Sequence, residues 1–595
     1  MVRSVSSVLV LATFTTLTNA ACVPDVPKGL LDDTQILKHP AILEAFDEVE
    51  KALRKPYNAN TTRDGLSLAL VHASSSKPVY TFNAGTLKFN ESSLSPQNTA
   101  ENTVTSDSIF RANSISKSFA TTSALVLSRM TNRTVTLDTP VRSLLPTFHL
   151  LSSDWEDGGR GITLGMLASH TSGITRDSYS TGFNQVLSTG KVTTDSIGAL
   201  WANQTVDSMV EEIGRTGLMF RPGERAAYSN AGIGILGAAV ASYYNEITRE
   251  DLSWSQLVLQ QIIEPLKMTH SFFGPVPDDL IPSITVPGGE NWADLVVGEG
   301  YNPAAGMWSS ANDLSKYIHD VWLKQPPSLI LPFDQRSALK PVYSLPDGKQ
   351  QVGPGWEITL RTVPTSANTS NPDTTKTYGI YGKSGSGGGW RSWMDVVPNL
   401  GYGLVILSQT SGLEGYETLY PGVMYSDLQD ILIPAFAKAL SARVEEKFAG
   451  TYGSGRDTGI IADEVSINTV GSKTYARLEV QDQVLYMREL VVNGTSALEA
   501  IDRVNWPGND VGDRFFSKPD GVVLEPAGGV SEVEQFGDGA QVFRIALAGE
   551  ATCNWYDYDG YKDQNGWPLT KVVIVETKNG VELHYPPFDI VVTRP

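Results

Sequence analysis

A serine and a lysine three positions apart mark the most chemically suggestive stretch of the chain, Phe110-Arg-Ala-Asn-Ser-Ile-Ser-Lys-Ser-Phe119. Read as the opening of a helix, Ser114 and Lys117 lie one turn apart on a single face. A serine hydroxyl is a weak nucleophile until a neighbour takes its proton, and an amine one turn on can do so. A helix N-terminus also favours negative charge developing there. The apolar run Phe119, Ala120, Ala124, Leu125, Val126 and Leu127 supports the helix. The spacing alone is common. It recurs at Ser74/Lys77, stopped by Pro78, at Ser188/Lys191, which spans Gly190, and at Ser337/Lys340. The pair gains its meaning from two stretches further along the chain.

They come downstream in a definite order. Phe220-Arg-Pro-Gly-Glu-Arg-Ala-Ala-Tyr-Ser-Asn-Ala231 holds Tyr228-Ser229-Asn230, and Tyr381-Gly-Lys-Ser-Gly-Ser-Gly-Gly-Gly389 holds Lys383-Ser384-Gly385, placed on an edge strand. With these three motifs the chain resembles the serine β-lactamase and penicillin-binding-protein superfamily, which carries Ser-x-x-Lys and Lys-Thr-Gly. Tyr-x-Asn as the middle motif resembles the class C β-lactamase, D-aminopeptidase and esterase branch. Ile162-Thr-Leu-Gly-Met-Leu-Ala-Ser-His-Thr-Ser-Gly-Ile174, Pro265-Leu-Lys-Met-Thr-His270 and Asn302-Pro-Ala-Ala-Gly306 with Asp313-Leu314 are similar to further stretches of that family. The resemblance covers roughly residues 30 to 445.

The resemblance implies roles. Ser114 would be the acylated nucleophile and Lys117 its proton partner. Tyr228 would be the general base, two ammonium groups favouring its ionised form. Asn230 would orient the substrate amide, Lys383 would keep the site electropositive, and Ser384 could hydrogen-bond the substrate. The backbone N–H groups of Ser114 and Ser386 would form an oxyanion hole, at about 3 kcal/mol per donor. The implied activity is a serine hydrolase acting on a β-lactam, a D-amino-acid peptide or a small ester, with no cofactor. An acyltransferase using the same serine and a non-catalytic binding scaffold are the alternatives. Ser384 for the usual Thr, Gly165 for a longer residue and a long insertion before Ser114 are departures that bear on substrate fit.

Several elements must hold these groups in place. His39 to Lys55 has helical apolar spacing, Gly65 to Val71 and Lys77 to Asn83 read as strands, and Glu91 to Asp107 as a long loop. Thr131 to about Lys340 is mostly helical, with an amphipathic helix predicted over Arg249–Glu264, and another over Asn312–Leu323 with Asp313 available as a cap. Strands return at Val352–Thr362, Gly379–Gly385, Trp393–Val397 and Gly403–Gln409, the last two joined by Pro398-Asn-Leu-Gly401. Ser426–Lys447 is a long helix expected to kink or break at Pro434. This is an α+β arrangement, an antiparallel sheet flanked by helices with an all-helical insertion. Beyond it, alternating segments at Val465–Val470, Tyr475–Val480, Val484–Val492, Gln541–Ala548 and Val572–Glu576 predict a smaller all-β domain, a barrel or sandwich, over residues 448–595.

The chain has 595 residues, enough for more than one domain, and its net charge of −19 disfavours nucleic acid or anionic membrane as a partner. A small-molecule or peptide substrate is expected. Residues 1–20, with apolar Val8 to Leu17 and small residues at Asn19-Ala20-Ala21, read as a secretory signal too short to span a bilayer, leaving 21–447 as the catalytic domain. Sequons at Asn60, Asn90, Asn132, Asn203, Asn368 and Asn493 fit a secreted eukaryotic glycoprotein. The two cysteines, Cys22 and Cys553, could pair in an oxidising compartment or remain thiols.

Competing readings are weaker. Gly232-Ile-Gly-Ile-Leu-Gly237 follows no buried strand, so small residues for close helix packing explain it better than a phosphate cradle. His170 is expected to be structural, Tyr243-Tyr-Asn245 to be helix surface and core, and Trp390 to lie near enough to Lys383 to line a pocket.

Overall fold

In a computed structural model, the residues described are 23–57, 64–89, 100–151, 161–177, 187–190, 201–202, 204–289, 291–365, 375–410, 421–453, 473–505, 521–527, 535–546, 561–578 and 580–594. They divide into two compact units, one formed by Lys28–Arg361 and Thr377–Leu440, the other by the described residues before 28, Thr362–Lys376 and those from Ser441 onward. The expected signal, Cys22, Cys553, Asn60, Asn90, Asn203, Asn368 and the Val465–Val470 segment lie outside the described residues. Asn132 and Asn493 are exposed turn residues with φ of 53° and 50°. No helix among the described residues is long and apolar enough to cross a membrane.

Every residue of β1 (Gly65–His72) is buried, the pattern of a strand covered on both faces. It pairs antiparallel with β2 (Ser75–Gly85) on one side and β10 (Tyr402–Gln409) on the other. The sheet of the first unit has eight strands in the order β2-β1-β10-β9-β8-β7-β6-β5, with β5 at Tyr343–Ser344, β6 at Gln350–Gly353, β7 at Trp356–Pro364, β8 at Thr375–Gly387 and β9 at Trp390–Val397. Helices cover both faces. Tyr402 stacks on Phe436 of the long C-terminal helix at 4.4 Å, whereas its neighbour Gly403, pointing the other way, leaves room for Ile318. The α1 helix (Pro40–Tyr57) reaches β2 through Phe46 stacked on Tyr80 at 5.0 Å.

The α2 helix (Ser116–Met130) is buried from Ser116 to Ser128, hydroxyls included, because each finds a partner. Thr122 meets the Tyr317 hydroxyl at 2.7 Å, Ser123 accepts from the Trp254 indole at 3.1 Å, and Ser128 donates to Asp334 at 2.8 Å. Helices gather around it: α3 (Leu164–Ala168), α4 (Val206–Gly214), α5 (Asn230–Thr248), α6 (Trp254–Val258), α7 (Asn302–Ala305), α8 (Ala311–Tyr317) and α9 (Pro332–Ala338).

Several expectations are corrected. The helix predicted from Arg249 starts at Trp254, since Arg249 sits in the left-handed region at φ 66° and ends α5. Ser253 and Gln256 form the capping box of α6, continued by a wider turn over Leu259–Ile263. Asn245 brackets the two helices, accepting from the Leu252 amide at 3.0 Å and donating to its carbonyl at 2.9 Å. Asp313 does not cap α8; Ser310 does. Asp313 is buried and accepts from the His270 amide at 2.6 Å and the Ser271 hydroxyl at 2.9 Å, tying the Pro265–His270 stretch down. A two-stranded sheet adds strands beyond those expected, β3 (Ile109–Asn113) between the loop and the Ser114 turn and β4 (Met307–Ser310) within the mostly helical stretch. The β8 strand lies inside the sheet between β9 and β7, not at its edge. The last helix of the layer, α10 (Pro421–Phe448), runs unbroken through Pro434.

Small residues carry the packing of α5. A Cβ on Gly234 would stand 2.3 Å from the Met209 sulfur and 2.7 Å from the Gly300 carbonyl oxygen, and one on Gly237 2.3 Å from Pro303. Gly234→Ala is therefore expected to destabilise the protein by about 1–3 kcal/mol, because a backbone carbonyl cannot step aside as a methionine tip can. A melting temperature equal to wild type would refute this.

The described residues of the second unit are mostly strands, and besides the end of α10 from Ser441 on they include α11 (Ala497–Asn505), a helix that the sequence pattern does not reveal. Its strands among the described residues are β11 (Gly450–Tyr452), β12 (Tyr475–Gln481), β13 (Val484–Val492), β14 (Thr495–Ser496), β15 (Val522–Pro526), β16 (Gln541–Ala546), β17 (Lys571–Thr577), β18 (Gly580–Tyr585) and β19 (Ile590–Arg594). The sheet nearly closes: the Gly453 amide, just past β11, donates to the Thr593 carbonyl of β19 at 2.9 Å.

Candidate active site

The chain leaves β3 at Asn113, whose left-handed φ of 49° turns it sharply into α2. Asparagine tolerates that region better than most residues. The turn is pinned by Ser116, which donates to the Asn113 carbonyl at 2.6 Å and accepts from the Met307 amide of β4 at 3.0 Å. Ser114 sits in this turn, two residues ahead of the first helical residue, with its amide against β8. A Cβ on Gly385 would be 3.0 Å from the Ser114 nitrogen and 2.3 Å from the Ala112 oxygen. Only glycine lets β8 pass so close.

The Ser114 hydroxyl accepts from Lys117 Nζ at 3.0 Å and from the Tyr228 hydroxyl at 2.8 Å. Lys117 is fully buried and also donates to the Ala304 carbonyl of α7 at 2.7 Å. Burial lowers its pKa to about 8. Tyr228 precedes Ser229, the N-cap of α5, whose hydroxyl accepts from the Gly232 amide and donates to the Thr175 carbonyl. Burial works to raise the Tyr228 pKa, but the Lys117 and Lys383 ammonium groups outweigh it and bring it down to about 8. Those ammonium groups lie 4.7 and 5.1 Å from the centre of its ring.

His170 stacks on Tyr228 at 4.6 Å, and its Nδ1 accepts from the Ser229 amide at 3.1 Å. Burial, reinforced by Lys117 and Lys383, holds its pKa well below the usual range, so the ring is neutral. Its contacts position the tyrosine. Asn230 opens α5, buried, with its amide NH2 donating to Asp177 at 2.9 Å.

Lys383 does not stand as a lone positive charge. Its ammonium is ion-paired with Glu357 of β7 and donates to the Ser384 carbonyl at 2.8 Å. Glu357 also accepts from the Ser384 amide at 3.1 Å and hydroxyl at 2.8 Å. Burial opposes the charge on both partners, yet the pairing wins, lifting the lysine and lowering the glutamate. Glu357 is the site residue that sequence reasoning misses. Its strand is legible, but nothing local says that it faces Lys383. Ser386 follows Gly385 and is exposed. Trp390 does not line a pocket; it is fully buried, donates to Thr285 at 2.9 Å and packs edge-on to Trp308.

The structure thus joins Ser114, Lys117 and Tyr228 by direct hydrogen bonds. With both proton partners near 8, whichever is deprotonated can take the hydroxyl proton as Oγ bonds to carbon, and can hand it on near neutral pH. Below that pH both are protonated and no base exists. Catalytic efficiency is expected to rise about tenfold per pH unit towards a midpoint near 8, then level off. A profile flat from pH 6 upward would exclude both groups as the base.

A family model described as Beta-lactamase matches residues 54–423. Beta-lactamase-like protein 2 of Dictyostelium discoideum is 22% identical over 406 residues, 67% of this chain and 65% of its own length. Beta-lactamase-like protein str5 of Strobilurus tenacellus is 31% identical over 160 residues, 26% of this chain and 55% of its own. The chain therefore spans less than two thirds of these relatives. Among solved structures, a beta-lactamase/D-alanine carboxypeptidase from Pseudomonas syringae aligns at TM-score 0.47 and 20% identity, over 65% of this chain and 99% of that one. The octameric penicillin-binding protein homologue from Pyrococcus abyssi aligns at TM-score 0.47 and 17% identity, over 92% and 99%.

Proposed function

The chain belongs to the beta-lactamase family, and from that premise we propose that it is a serine hydrolase cleaving an amide or ester through an acyl-enzyme on Ser114. The observation that carries this reading is the double hydrogen bond onto Ser114 Oγ from Lys117 and Tyr228. As Oγ attacks the substrate carbonyl carbon, its proton passes to the Lys117 amine or the Tyr228 phenolate. The carbonyl oxygen, now negative, is met by the amides of Ser114 and Ser386. Collapse expels the leaving group, which takes up the proton. Water then repeats the sequence on the acyl-enzyme, with the same base.

Intact-mass labelling with a fluorophosphonate, and separately with a penicillin, tests the proposal. A single fluorophosphonate adduct mapped to the Ser114 peptide is expected. No adduct, or one mapped elsewhere, would sink it. A penicilloyl adduct that persists points to an ester or peptide substrate, and one that turns over points to lactamase chemistry.

We further propose that the protein is secreted, with residues 1–20 removed, the catalytic domain over 21–447, a β domain over 448–595, and Cys22 paired with Cys553. The exposed turn positions of Asn132 and Asn493 suit glycosylation. Mass analysis of protein exported by a eukaryotic host, before and after reduction, would show a chain beginning at Ala21; an intact Met1 or two free thiols would refute the corresponding part.

A further inference from the structure

On β8, just before the Gly385 that passes against the Ser114 amide, stand Lys383 and Ser384, and a carboxylate of the protein itself already holds them. One Glu357 oxygen takes the Lys383 ammonium; the other takes both the Ser384 amide and the Ser384 hydroxyl. These three donors are what an incoming carboxylate would need. The strand geometry fixes the reach. At ~3.3 Å per residue, Lys383 and Ser384 lie roughly 7–10 Å along β8 from Ser386, a span that a small substrate with its carbonyl at the Ser386 amide and a charged group at its far end can bridge.

Among the described residues, the two other cations beside the Tyr228 ring are also engaged. Lys117 is buried and donates to Ser114 and Ala304. Arg176, 5.1 Å from the Tyr228 ring centre, is 3.8 Å from Asp177. A substrate carboxylate entering beside β8 would therefore share one ammonium with Glu357 or displace it, placing two like charges in one half-buried site. An uncharged group meets no such penalty.

We propose that Glu357 is a specificity residue occupying the place of a substrate carboxylate, so that the site takes acyl donors uncharged on the leaving side. Neutral esters and amides are selected, and free-acid β-lactams and peptides cut next to a C-terminal carboxylate are disfavoured. This rests on Ser114 being the nucleophile.

A matched pair of aryl acetates tests it: 4-acetoxybenzamide and 4-acetoxybenzoate, which differ in the charge carried by the leaving group. Each kcat/KM is divided by the same ester's rate with hydroxide. Wild type is expected to favour the neutral ester at least ~10-fold, and Glu357→Gln to bring the two within ~3-fold. Fluorophosphonate labelling separates the failures. No labelling of Ser114 overturns the nucleophile assignment. Labelling with an inert neutral ester, with equal wild-type rates, or with a preference that survives in Glu357→Gln overturns the role of Glu357. Should that variant not fold, the wild-type ratio at 1 M salt decides. Repulsion by the net charge of −19 vanishes there, whereas exclusion by a contacting carboxylate persists.

Discussion

Ser114→Ala is expected to lower kcat on any acyl substrate by at least ~10⁴-fold and to abolish fluorophosphonate labelling, with a melting temperature within a few degrees of wild type. The size comes from what is removed. No other described hydroxyl receives hydrogen bonds from both Lys117 and Tyr228, so no group inherits the attack. The fold should be indifferent. Ser114 is half-buried in a turn that Ser116 and the Asn113 carbonyl pin independently, and Lys117 keeps its hydrogen bond to Ala304. What remains is a site still able to bind a carbonyl through the backbone amides, and hence a small residual rate. Steady-state kinetics with thermal unfolding on the same preparation would check both halves. Retained turnover would mean that the nucleophile lies elsewhere.

The parts of this site that the sequence makes legible are those whose chemistry is written locally. Ser114 and Lys117 are three residues apart, and Tyr228-Ser229-Asn230 carries its own helix cap. Glu357 is illegible for a physical reason. Its meaning depends on the pairing of β7 with β8 across residues 365–374, a connection too long for any turn type to fix register, and a slip of one residue sends every side chain to the other face. The same holds for Asp313, which the sequence offers as a cap and the fold uses to anchor His270 and Ser271. Short elements are hidden for another cause. Five residues of β3 and four of β4 are too few for an alternation to show against the helical pattern around them. The start of α6 is obscured because apolar spacing runs on through Leu252, while the information that ends one helix and begins the next sits in Asn245, Arg249 and Ser253.

Lys117→Met should be nearly as damaging to catalysis as the loss of the serine, and its signature differs. Methionine matches lysine in length and removes only the charged tip. Replacing a wholly buried ammonium by a neutral group is close to neutral for folding, apart from the Ala304 carbonyl, which loses a donor at a cost of about 1 kcal/mol. Catalysis loses twice. The amine no longer takes the serine proton, and the ammonium that opposes burial at Tyr228 is gone, leaving Lys383, itself paired with Glu357, to hold the phenol down. The Tyr228 pKa must therefore rise from about 8, and the ascending limb of the pH profile must move to higher pH with it. A kcat/KM about 10³-fold lower at neutral pH is expected, recovering in part as pH is raised. If Lys117 served only to pack the helix, the melting temperature would fall and the midpoint would stay where it was. Because the two residues act on one proton, Ser114→Ala combined with Lys117→Met should be no slower than Ser114→Ala alone. An additive loss in the double variant would show that they do not work together.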